Sequence, residues 1–115
     1  LINLELKNIA YPQNAIITGD YCIGLALQIG VAGQKGADNF FATVGTAKGI
    51  RTFFGNKPVI LNRGLIITDE FNLKLIRKEV QDILPNCSKE NWEDSAWSVN
   101  RYFPWEYDEF KLGRN

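Results

Sequence analysis

The sequence predicts an α+β fold: one domain, residues 1–115, with a mostly antiparallel sheet of N-terminal strands packed by two C-terminal helices. Three observations predict it. Apolar residues alternate with polar or small ones through the first half, the period of half-buried strands. In the second half they recur at helical spacing behind capping residues. Strands therefore precede helices instead of alternating with them, which separates α+β from α/β. A chain of 115 residues with 45% hydrophobic and 23% charged residues has the size and composition of one ordinary globular core.

Ile2, Leu4 and Leu6 alternate with Asn3, Glu5 and Lys7 as a first strand, and Tyr11-Pro12-Gln13-Asn14 reads as a turn. From 22 to 31, Ile23, Leu25, Leu27, Ile29 and Val31 share one face. The other face, with Gly24, Ala26 and Gly30, is nearly bare, so close packing is expected there. The stretch "AGQKGADN" (32–39) connects this strand to a return strand, "FFATVGT" (40–46). Lys48–Pro58 reads as loop. Apolar residues resume at Val59–Leu61 and at Leu65–Ile67.

The segment "TDEF" predicts a helix start with Thr68 or Asp69 as N-cap, and Ile76, Val80, Ile83 and Leu84 carry the stripe to Pro85. Ser88 is the expected cap of a second helix, whose stripe is Trp92, Ala96, Val99 and Phe103. Trp97 falls off that stripe, so it either caps a sheet edge or faces a partner. If the terminal run "RYFPWEYDEFK" (101–111) is extended, Phe103, Trp105 and Tyr107 lie on one side, with Glu106 and Asp108 standing in water on the other.

The chain has no histidine, which removes the commonest general base and most zinc sites. Cys22 and Cys87 lack metal-ligand spacing and are expected as free, buried thiols. "GVAGQKGAD" lacks both glycine-rich phosphate-loop spacings and joins two strands, so it reads as a hairpin loop. The apolar-leaning run Cys22–Gly33 is too short to span a bilayer. No export pattern opens the chain, and a reducing cytoplasm is expected.

Net charge is zero but unevenly spread: residues 86–110 hold six acidic against two basic residues. That balance disfavours nucleic acid as a direct partner and suits a basic protein. Paired Glu106 and Asp108 leave a small carboxylate-dependent hydrolase open as an alternative. An adaptor domain using the aromatic patch is another.

Three stretches resemble the immunity protein 8 family of bacterial polymorphic-toxin and contact-dependent inhibition systems. They are "GQKGADNFFATVGT" (33–46), "LIITDEFNLKLIRKEVQDIL" (65–84) and "CSKENWEDSAWSVNRYFPWEYDEFK" (87–111), spread over residues 33–111. Ala47 departs from the pattern, which has proline after the strand's threonine. The resemblance implies a cytoplasmic non-enzyme with no cofactor, which neutralises the C-terminal toxin domain of a cognate delivered protein. A nuclease toxin would suit the acidic end. The candidate anchors are Trp97, Tyr102, Trp105 and Tyr107, and the candidate charge partners are Glu93, Asp94, Glu106, Asp108 and Glu109.

Overall fold

The computed structural model describes residues 1–14 and 17–108. Four strands form one sheet in the order β1-β2-β3-β4: Leu4–Ala10, Cys22–Val31, Asp38–Gly45 and Leu65–Ile67. β1, β2 and β3 pair antiparallel, and β4 joins β3 in parallel. Leu25, Leu27 and Ile29 turn inward from β2, and Phe40, Ala42 and Val44 from β3. A bulge between Leu6 and Asn8 shifts the β1 register by one. It lets Leu6 and Ile9 both reach the core, although they are three residues apart.

Helix α2 (Leu73–Ile83) lays Ile76 and Val80 on this face, and α3 (Trp92–Val99) adds Ala96 and Val99. A 3₁₀ turn, Leu84–Cys87, joins them and buries Leu84 and Cys87. α2 ends at Ile83, two residues before Pro85, as the proline requires. The fully buried side chains of Phe40, Leu27, Ile29 and Leu84 come from both layers, so the sheet and helices share one core.

Both expected helix caps lie further along the chain. Thr68 still belongs to the sheet: its N–H donates to the Gly45 carbonyl at 2.9 Å and its hydroxyl meets that of Tyr21 at 2.5 Å. The true cap of α2 is Asn72, whose Oδ1 accepts from the Leu75 N–H at 3.2 Å. Ser88 is turned back towards the Leu84 carbonyl, and Asn91 caps α3 by accepting from the Asp94 N–H at 2.8 Å.

The predicted loop over Lys48–Pro58 contains a helix, α1 (Ala47–Phe53). Its N-cap is Thr46, whose hydroxyl accepts from the Gly49 N–H at 3.1 Å and from the Tyr21 N–H at 3.2 Å. Ala47 occupies the first helical position, where a proline fits because that N–H needs no intrahelical partner. Seven residues form no stable helix alone, so packing against β2 and β3 holds α1 in place. Val59–Leu61 is no strand. Val59 and Leu61 are exposed, because the edge of β3 is already taken by β4 and by the terminal segment.

The bare face of β2 is only partly covered. The Gly36 carbonyl sits where a Cβ on Gly30 would be, while Gly24 has no atom within 4 Å of its own missing Cβ. No helix among the described residues is long and apolar enough to cross a membrane.

Candidate functional site

The terminal segment meets the sheet but does not run along it as an alternating strand. Trp105 makes one antiparallel bridge to Phe40. It is flanked by bonds from the Phe41 N–H to the Pro104 carbonyl and from the Glu106 N–H to the Asn39 carbonyl. Beyond this bridge the chain turns, with the Asp108 N–H donating back to the Trp105 carbonyl at 3.0 Å.

Trp105 is the hub of an aromatic cluster and is 5% exposed. Its ring stacks on Phe40 at 6.2 Å and receives Trp97 and Tyr107 edge-on at 5.2 and 5.8 Å. Its indole N–H donates to Asp38 Oδ2 at 3.0 Å, and Trp92 donates to the same oxygen at 3.2 Å. One carboxylate at the start of β3 thus ties α3 and the terminal segment to the sheet. Trp92 is half-buried, with its ring edge-on to Phe40.

The two carboxylates expected in water are engaged in the fold instead. Glu106 Oε2 accepts from the Asn39 N–H at 2.5 Å. Asp108 accepts from the Asn100 amide at 3.3 Å and pairs with Arg63 at 3.6 Å, and its side chain is only 16% exposed. Its other oxygen, Oδ1, is buried with no partner among the described residues. Different partners hold the two acids. The described residues also contain no cluster of three or more acids or cysteines suited to a metal ion.

Sequence reasoning missed Asn100, Asp38 and Arg63, the residues that set the turn. Asn100 closes α3 and is 8% exposed. Its Oδ1 accepts the Trp105 N–H at 2.8 Å, its amide donates to Asp108, and its carbonyl accepts from Arg63 at 3.1 Å. An asparagine at the end of an apolar stripe is a helix-stop signal. No local pattern pairs it with an arginine 37 residues away. Arg63→Ala is expected to cost about 1–2 kcal/mol, because Asp108 keeps its burial and loses its cation. Chemical denaturation measures this, and an unchanged midpoint would refute the account.

The remaining candidates lie at the surface. Tyr102 and Tyr107 are exposed, Trp97 is half-buried, and Glu93 and Asp94 are exposed in the first turn of α3. Trp97 lies one turn after Glu93 on α3, and Trp97 and Tyr107 both meet Trp105 edge-on. Asp94 accepts from the Asn91 amide at 3.1 Å and favours the positive end of α3. Tyr102 points elsewhere, onto a hollow beside β4. Glu109 lies outside the described residues.

Both cysteines are free, but Cys22 is half-buried rather than buried. Burial pushes both thiols above their ordinary range, which keeps them protonated and poorly nucleophilic at neutral pH.

The protein is a small sheet-and-helix domain, closed at one end by an aromatic clasp and carrying surface acids and aromatics beside it. Comparison with family models makes this specific, because the model described as Immunity protein 8 matches residues 4–110. The chain belongs to the immunity protein 8 family. No curated protein and no solved structure matches it.

Proposed function

We propose that this protein is a non-enzymatic inhibitor, acting in the cytoplasm of the producing cell. It binds the C-terminal toxin domain of a cognate polymorphic or contact-dependent toxin. The family match over residues 4–110 carries this reading. The engagement of Glu106 and Asp108 in separate structural contacts supports a binder over a carboxylate-pair hydrolase. A nuclease is the toxin class that best suits the acid-rich end, since a phosphate-binding cleft is basic and attracts carboxylates.

Immunity by binding requires high affinity, because any free toxin acts on the cell. Inhibitor complexes of this kind reach Kd values of about 10⁻¹³ M. An interface of roughly 800 Å² per partner suffices when a few anchors are buried. The side chains proposed for it are the exposed Tyr107, Tyr102, Glu93 and Asp94 and the half-buried Trp97. Trp105, Glu106 and Asp108 act on this surface indirectly, by holding it in place.

Calorimetric titration into the toxin domain encoded immediately upstream, with toxin activity assayed at each ratio, tests the reading. Stoichiometric binding with activity lost at equivalence is the expected result. A folded, active toxin domain that does not bind would overturn it. The charge contribution is best read from Asp94→Lys and the aromatic one from Tyr107→Ala, because Glu106→Lys would also disturb the Asn39 contact. Each is expected to weaken binding by about tenfold, and the Asp94 effect should shrink at high salt. Equal affinity of both variants and the parent would remove the α3 face from the interface.

A further inference from the structure

The two edges of the sheet are treated differently. Along the Leu4–Leu6 half of β1, the groups facing away from β2 are occupied by side chains of α2. Gln81 accepts the Leu6 N–H at 2.9 Å and donates to the Leu4 carbonyl at 3.4 Å, and Arg77 donates to the Leu6 carbonyl at 3.0 Å. That half of the edge is closed. At the other end of the sheet, Thr43 donates to the Gly64 carbonyl and Thr68 to the Gly45 carbonyl, each at 2.9 Å. Backbone groups alternate along a strand, so residues 64, 66 and 68 face β3 while Leu65 and Ile67 turn their N–H and carbonyl groups outward. β4 contains no lysine, proline or bulge, and among the described residues nothing pairs with its outer groups; its brevity is the edge guard seen there.

Beside this open edge run two adjoining hollows of about 380 and 430 Å³, which share Ile66, Ile67 and Glu79. Ile67 and Leu75 are exposed there, and Tyr102 stands at the far end. The charges are of one sign. Asp69, Glu70 and Glu79 line the groove, and no lysine or arginine among the described residues does.

We infer that the β4 edge is a docking site for an extended, basic segment of the toxin domain, which adds to the sheet as a further strand beside Leu65–Ile67. This assignment rests on the immunity reading above. The open N–H and carbonyl groups supply main-chain pairing, Ile67 and Leu75 the apolar contact, and the three carboxylates select lysine- or arginine-bearing strands. A second copy of this chain is a poor occupant. Pairing β4 with β4 would bring the same three carboxylates of both copies to one seam across a three-residue strand. Tyr102, which borders this groove rather than the Trp97–Tyr107 strip, extends the interface around the end of the sheet.

Amide hydrogen exchange of the intact protein, alone and with the upstream-encoded toxin domain, tests this directly. Binding of the parent protein is established first by the titration above. In the complex, exchange at Leu65 and Ile67 is expected to slow by about tenfold or more. Ile67→Pro removes an N–H that β3 does not use, and Glu79→Lys reverses one groove charge. With unfolding midpoints near the parent's, each is expected to weaken toxin binding by about tenfold or more. If the complex forms but both amides exchange as in the free protein, the groove assignment is wrong and the immunity reading stands. Unchanged affinity of both folded variants has the same meaning. Protection that rises with the concentration of the protein alone would make a second copy the occupant and overturn the assignment. A toxin domain that does not bind the parent at all overturns both.

Discussion

Trp105→Ala is expected to destabilise the domain by about 3–5 kcal/mol, a large part of the ~5–15 kcal/mol that holds a protein of this size folded. Three effects add. The indole is 5% exposed, so its removal leaves a cavity between β3 and α3. Phe40, Trp97 and Tyr107 each lose an aromatic partner. Asp38, which accepts from two indoles, keeps only Trp92. Trp105→Phe separates these terms, because a phenyl ring retains much of the stack but supplies no N–H. Its expected cost is smaller, about 1–2 kcal/mol. Urea unfolding of both variants gives the comparison, with the slope checked for two-state behaviour. Equal stability of parent and Trp105→Ala would mean that the clasp is an ornament on a core that needs none of it.

Gly49→Ala is the second large effect expected, at about 2–3 kcal/mol or more. An added Cβ would stand 2.0 Å from the Tyr21 carbonyl oxygen and 2.5 Å from its carbon. Those are backbone atoms at the entry to β2, and they have little room to give way. The same carbonyl accepts the Thr46 N–H, while Thr46 caps α1 and holds the Tyr21 N–H. Moving Tyr21 therefore loosens both the helix cap and the strand start. Gly24→Ala is the control, since open space surrounds its missing Cβ and its φ is not in the left-handed region. It should change stability by less than about 1 kcal/mol. Thermal unfolding of the pair, under one set of conditions, would show the contrast. Two equal, small shifts would refute the close-approach argument.

Neither residue is conspicuous by the same logic. Trp105 stands in the quoted terminal run, and its aromatic character marks it as important. Its role as a buried hub rather than an exposed anchor depends on Phe40 lying across from it, 65 residues earlier. Glu106 and Asp108 look like a free acidic face when read by alternation. Alternation holds only where a strand continues, and here one bridge is followed by a turn. The carboxylates thus find the Asn39 N–H and Arg63 instead of water.

The sequence by itself determined the layer plan: strands over 2–7, 22–31 and 40–46, which the structure sets at Leu4–Ala10, Cys22–Val31 and Asp38–Gly45, then helices with Val80 and Val99 turned inward. Those features follow from period and composition within ten or twelve residues, where the chain's own geometry dictates which side chains share a face. The resemblance, carried by short ordered motifs, likewise pointed to the family without any contact map. Tertiary structure decided the rest. It made α1 a helix, because a seven-residue segment is held by Tyr21 and the sheet rather than by its own propensity. It set the caps at Asn72 and Asn91, because Thr68 and Ser88 were already committed elsewhere. It also closed the Leu4–Leu6 half of the β1 edge with Gln81 and Arg77 and left the outer groups of β4 without a partner among the described residues. The physical reason is common to all three. A polar group's partner is chosen by what folding brings within about 3 Å, and residues far apart in sequence leave no local trace of that choice.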